Sequence, residues 1–262
     1  MAEPEVRTVI EARSEGPIAR VTLDNAARAN CLSRALVDAI AATFRDLATR
    51  PALRLVIVTG AGARAFMAGA DLTELGAADE DAARAWITGL QAAHQAIRDC
   101  PVPVIARING ACLGAGLELA ASCDLRIAAD HATFGMPEVL IDLPSVIEAA
   151  LFPRMIGWGR AAWMIYRGDG IDAATAERWG LVERVVPAAR LDEAVEELAG
   201  RILQNGPAGI RLQKRLMRDW ESMPLDQAIR SGIDALAAAY RIGDPPGHIA
   251  AYRAERRRRP QR

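Results

Sequence analysis

A chain of 262 residues, about half of them hydrophobic and a quarter charged, is long enough for one large α/β domain with a helical appendage. A formal net charge of −1 gives no general attraction to nucleic acid or anionic membrane. No basic leader precedes an apolar run and no apolar run is long enough to span a bilayer, so the expectation is a cytoplasmic protein without membrane or nucleic-acid partners.

In chain order, "VRTVIEA", "IARVTLD", "LRLVIVTG", "VPVIARING" and "DLRIAA" are short β-branched runs that read as strands. Between them, "SRALVDAIAATFRDLATR" and "ARAWITGLQAAHQAIRDC" place apolar residues at three-and-four spacing and read as amphipathic helices, the first capped by Ser33. This alternation predicts an α/β fold of βα units around a twisted sheet. From Ile156 the pattern turns almost wholly helical, punctuated by Gly168, Gly180, Gly206 and Pro207. The predicted division is an α/β core over 1–200 and a helical region over 201–262. Cys31, Cys100, Cys112 and Cys123 lack metal-ligand spacing and are expected to be buried thiols, with no metal site.

Gly60, Gly62 and Ala65 spell G-x-G-x-x-A after a strand. A dinucleotide site needs a long helix to open within that turn, and the turn signal "AGAD" interrupts first, so an oxidoreductase is disfavoured. Walker A, G-x-S-x-G and H-E-x-x-H patterns are absent. His94, His131 and His248 stand apart in the sequence and receive no role.

Two small-residue turns remain, "FMAGADL" and "NGACLGAGLE", each following a strand. Small residues let a ligand approach backbone N–H groups, and a helix starting near Gly114 would put its positive end at Ala115. Two such N–H groups can stabilise an oxyanion. Glu118 falls in the first turn of the same helix, where an apolar setting makes an unpaired charge costly unless the carboxylate serves a purpose. "ATFGMPEVLIDLPS" adds Glu138 in a Gly-Pro turn, and two carboxylates at one oxyanion site could divide acid and base duties.

"FMAGADLTEL", "INGACLGAGLELAASCDLRIA" and "ATFGMPE", in this order and spacing, resemble the enoyl-CoA hydratase/isomerase (crotonase) family, from "LDNAARANCLS" to the C-terminal "IAAYRAERRRRP". The resemblance implies a spiral of ββα units, a C-terminal helical trimerisation region giving a homotrimer or homohexamer, and an acyl-CoA thioester substrate, with no cofactor beyond the coenzyme A of that substrate. It implies that the N–H groups of Ala70 and Ala115 hold the thioester oxygen, that Ala68, Gly69, Asp71, Leu72, Gly114 and Pro137 line the substrate, and that Glu118 activates water while Glu138 exchanges the C2 proton. The implied reaction is reversible hydration of a trans-2-enoyl-CoA. The alternatives are an isomerase, decarboxylase or hydrolase on the same fold, and a noncatalytic acyl-CoA- or RNA-binding member, for which only the basic run Arg256 to Arg259 speaks; that run reads as a solvated helix end.

Two departures from the family pattern stand out. Gly114, Ala115 and Gly116 replace G-G-G, and "PSVIEAALFPR" replaces the Gly-rich stretch after the second glutamate, one residue shorter between Glu138 and Pro144. The added carboxylates Asp142 and Glu148 are expected at solvent or at a subunit interface.

Overall fold

The computed structural model describes residues 3–258 and divides between Ala199 and Gly200 into two compact units. In the first, strands β1 (Glu5–Glu11), β2 (Ile18–Asp24) and β3 (Leu55–Gly60) are followed by β4 (Ala65–Met67), β5 (Val104–Ile108), β6 (Ala111–Leu113), β7 (Leu125–Ala129) and β8 (Thr133–Gly135). Two further short strands, β9 (Ile171–Asp172) and β10 (Arg184–Val186), come late in the unit. The helices are α1 (Arg34–Ala48), α2 (Leu72–Gly76), α3 (Glu80–Arg98), α4 (Ala115–Ser122), α5 (Phe152–Ile156), α6 (Trp158–Arg167), α7 (Ala173–Trp179) and α8 (Leu191–Leu203), the last containing the division.

The strands sort into two sheets. The large one runs β1-β2-β3-β5-β7-β10, parallel except for the β1–β2 hairpin, and the small one runs β4-β6-β8-β9. β3, β5 and β7 thus enter the large sheet, the short strand after each enters the small sheet, and a helix or helical turn follows, which is the ββα spiral. Strand β3, "LVIVTG", is almost wholly buried, as expected for a parallel strand covered on both faces. Ser33 caps α1, accepting from Leu36 N–H at 3.3 Å, and the buried face of α1 (Leu36, Val37, Ile40, Phe44, Leu47) packs on α3.

Three-residue strands carry too little periodicity to be read from sequence, and β10 corrects the expectation of a helical tail from Ile156. Its residues pair in parallel with Ile127–Ala129 of β7, so 156–199 belong to the α/β unit. The G-x-G-x-x-A turn leads into strand β4 rather than a helix, and a Cβ at Gly60 would meet Phe66 O at 2.1 Å, so that glycine serves chain packing. All four cysteines are buried thiols.

The second unit comprises α9 (Pro207–Trp220), α10 (Leu225–Ile242) and α11 (Pro245–Arg258). Trp220 Nε1 donates to Ala228 O at 3.0 Å, tying α9 to α10. Along α10, Leu225, Ile229, Ile233, Leu236 and Tyr240 form one exposed apolar stripe. Arg259, the end of the basic run, lies outside the described residues. Among the described residues no helix is long and apolar enough to cross a membrane.

Candidate active site

Parallel pairing of β4 with β6 brings the two small-residue turns out at the same edge of the small sheet. The first turn is held from outside: Ala68 N donates to Ala29 O, Leu32 N donates to Gly69 O, and Asp71 N donates to Leu32 O. Among the described residues the Ala70 N–H has no acceptor in this clamp. Asp71 itself is buried, caps α2 by accepting from Thr73 N at 2.9 Å, and pairs with Arg28. Burial pulls its carboxyl upward, but the Thr73 N–H and the Arg28 guanidinium hold it below the usual range. Its side chain is therefore committed to fixing the turn, while Leu72 is exposed beside it.

Gly114 ends the second turn at φ 53, ψ −128, a conformation open to glycine alone. A Cβ placed on Gly114 would lie 3.8 Å from the Gly69 Cα, and one placed on Gly69 would lie 4.0 Å from the Gly114 Cα, so the two turns lie side by side. Ala115 is the first residue of α4, where the backbone N–H has no helical partner and the dipole is positive. At the other end of α4, the buried Arg126 guanidinium donates to Ala120 O and Cys123 O. The helix is thus pinned at its carbonyl end and free to offer N–H groups at the other.

Glu118, one turn into α4, is 3% exposed. Its Oε1 accepts from Ala149 N at 3.1 Å, and burial, then Glu138, then Glu148 outweigh that bond and push its carboxyl to about 8. Glu138 follows β8 in the helical turn Pro137–Ile141, which Pro137 opens. Its Oε2 accepts from Ser145 Oγ at 3.0 Å, while its Oε1 lies 2.5 Å from where a Gly114 Cβ would sit. Burial raises its carboxyl as well. Beside Ser145 and Ala149 opens a cavity of about 300 Å³, lined also by Val146, Trp158, Ala162 and Tyr166 and bearing no charged side chain.

A carboxylate pair beside a glycine turn and a free helix start is what the sequence resemblance leads one to expect. The profile of the enoyl-CoA hydratase/isomerase family matches residues 13–241. The chain belongs to the enoyl-CoA hydratase/isomerase family. Crotonyl-CoA hydratase of Syntrophomonas wolfei is 36% identical over 84% of this chain and 84% of its own length. Mevalonyl-coenzyme A hydratase of Aspergillus fumigatus is 34% identical over 93% and 90%. The crystal structure of enoyl-CoA hydratase from Bacillus anthracis superposes with a TM-score of 0.89 at 32% identity, covering 95% of this chain and 96% of that one. The chain is thus an enzyme of the crotonase family with the crotonase fold.

Within this crotonase-type site one expectation fails. Glu148 lies neither at solvent nor at an outer surface: it is 7% exposed, and His94 Nδ1 lies 2.8 Å from its Oε2. The departure from the Gly-rich family pattern places it there, in the helical turn Ile147–Leu151 that packs against α3 and α4. His94, isolated in sequence, thereby acquires a buried partner. Asp142 is exposed, as expected. Sequence reasoning missed Ser145, the Ala149 N–H and the clamp of Ala29 and Leu32, since nothing in "PSVIEA" shows which atoms face the glutamates. Among the described residues no cluster of His, Cys, Asp and Glu could hold a metal ion.

Proposed function

We propose that this crotonase-family enzyme hydrates a trans-2-enoyl-CoA reversibly, with Glu118 and Glu138 as its proton-handling pair. The observation that carries this reading is a buried Glu118 and a half-buried Glu138, each raised above its ordinary range, the charge of Glu138 acting on Glu118 and Glu138 lying against the Gly114 turn. An isomerase can shuttle one proton on one base, whereas hydration needs one group for the water and one for C2.

The thioester oxygen accepts from the N–H groups of Ala70 and Ala115, which stabilise the enolate as negative charge develops. In the hydration direction, ionised Glu118 takes a proton from water as its oxygen bonds to C3, and protonated Glu138 delivers a proton to C2. Dehydration runs the same path backward: Glu138 removes the C2 proton, and protonated Glu118 supplies the proton with which hydroxide leaves. One proton shared by the pair is therefore the competent state in both directions. Burial and the charge of Glu138 raise the Glu118 carboxyl to about 8, which favours the protonated form that dehydration uses.

The uncharged cavity beside Ser145 and Ala149 suits an apolar acyl chain. The exposed stripe of α10 supports burial against other copies in a homotrimer or homohexamer. Incubation with a panel of enoyl-CoA and 3-hydroxyacyl-CoA thioesters, followed by mass measurement, tests the reading. Gain or loss of one water is expected. Isomerised or hydrolysed thioesters without hydration would replace it with the isomerase or hydrolase alternative.

A further inference from the structure

The proton chemistry leaves one buried pair of titratable side chains unused. His94 is fully buried on α3, and its Nε2 has no hydrogen-bond partner among the described residues, so Glu148 alone orients the ring. Glu148 sits between two informative neighbours. On one side, Ile147 has φ 42, left-handed backbone that a β-branched residue adopts only under constraint. On the other, the Ala149 N–H is the group that holds Glu118 Oε1. The same short segment begins at Ser145, whose hydroxyl holds Glu138 Oε2. Replacing a buried ionic or polar pair with apolar residues often costs no stability, so stability by itself gives little reason for this one.

We propose that His94 and Glu148 are positioning residues: their contact tethers the strained turn 145–149 to α3 and thereby aims the Ala149 N–H at Glu118. The proposal rests on the reading of Glu118 as a proton-handling carboxylate. If the tether is cut, Ile147 relaxes towards negative φ, the Glu148–Ala149 peptide turns, and Glu118 loses the hydrogen bond from Ala149 N–H that fixes its carboxylate. Misplacement of this kind lowers turnover more than substrate affinity, because the thioester is bound elsewhere, on the two small-residue turns.

Steady-state kinetics on a trans-2-enoyl-CoA with His94→Ala, Glu148→Ala, Glu148→Gln and Ile147→Gly test this. Both alanine variants are expected to lose about tenfold or more in kcat with KM changed by less than about threefold. Glu148→Gln keeps an oxygen that accepts from His94 Nδ1 and is expected to recover most of the turnover that Glu148→Ala loses. In an Ile147→Gly background, where positive φ carries no strain, His94→Ala is expected to cost much less than it does alone. A folded Glu148→Ala enzyme with wild-type kcat would overturn the proposal. So would a Glu148→Gln enzyme as impaired as Glu148→Ala, since charge rather than tethering would then matter. If His94→Ala does not fold, the two Glu148 variants carry the same test. Glu118→Gln, assayed alongside, separates the failures: an active Glu118→Gln overturns the catalytic reading and the tether with it, whereas an inactive one beside a fully active Glu148→Ala overturns the tether alone.

Discussion

Glu118→Gln is expected to make the protein more stable at alkaline pH while removing its hydration activity. The glutamine keeps the shape of the side chain and an oxygen for the Ala149 N–H, so the change removes little but the ionisable proton. Burial is the largest influence on that proton, followed by the charge of Glu138, and together they move the carboxyl from 4.5 to about 8. Between those values the folded protein holds a proton that the unfolded chain has released, so stability falls as pH rises through the window and levels off above it. At about 1.4 kcal/mol per pH unit the full cost approaches roughly 5 kcal/mol, an upper figure that structural relaxation and water entry reduce to a few. The variant carries no such cost. Its advantage over wild type is expected to be small near pH 5, to grow through pH 6 to 8, and to be largest near pH 9. Urea unfolding of both proteins at matched protomer concentration across this range gives the difference directly. Parallel stability curves for the two proteins would show that Glu118 ionises as an ordinary surface carboxyl does, and the electrostatic basis of the site would fall.

Gly114→Ala adds a methyl 2.5 Å from Glu138 Oε1 at φ 53, so kcat is expected to fall by about a hundredfold or more, with a lowered melting temperature seen by calorimetry. Ala115→Pro removes an N–H at the first position of α4, where proline suits a helix; turnover is expected to drop by about a hundredfold in a protein with wild-type circular dichroism. Ile233→Asp places a charge in the middle of the exposed α10 stripe, and sedimentation at micromolar concentration is expected to shift from trimer or hexamer towards monomer.

Long elements were legible in the sequence because their periodicity is long. The apolar spacing of Leu36, Ile40, Phe44 and Leu47 marks the buried face of helix α1, and Ser33 ahead of it marks the cap. The strands β4, β6 and β8 span three residues each, too few for a period to register, although they set the two turns side by side. At the site, Glu118 announced itself by its apolar surroundings, and Glu138 by its place in a turn. Glu148 did not, because its burial depends on α3 supplying His94 from 54 positions away. Asp71 shows the converse: its motif suggests a ligand contact, and its carboxylate is occupied by Thr73 and Arg28.

The division of labour between the two glutamates is tested most directly by following deuterium exchange at C2 of a 3-hydroxyacyl-CoA in heavy water, alongside its dehydration, for wild type, Glu118→Gln and Glu138→Gln. Glu138→Gln is expected to lose exchange and dehydration together, because no base remains to form the enolate. Glu118→Gln is expected to lose dehydration by about a hundredfold or more yet still exchange the C2 proton, because the enolate forms but hydroxide has no acid to leave with. Exchange surviving in Glu138→Gln, or dehydration surviving in Glu118→Gln, would contradict the paired-carboxylate account.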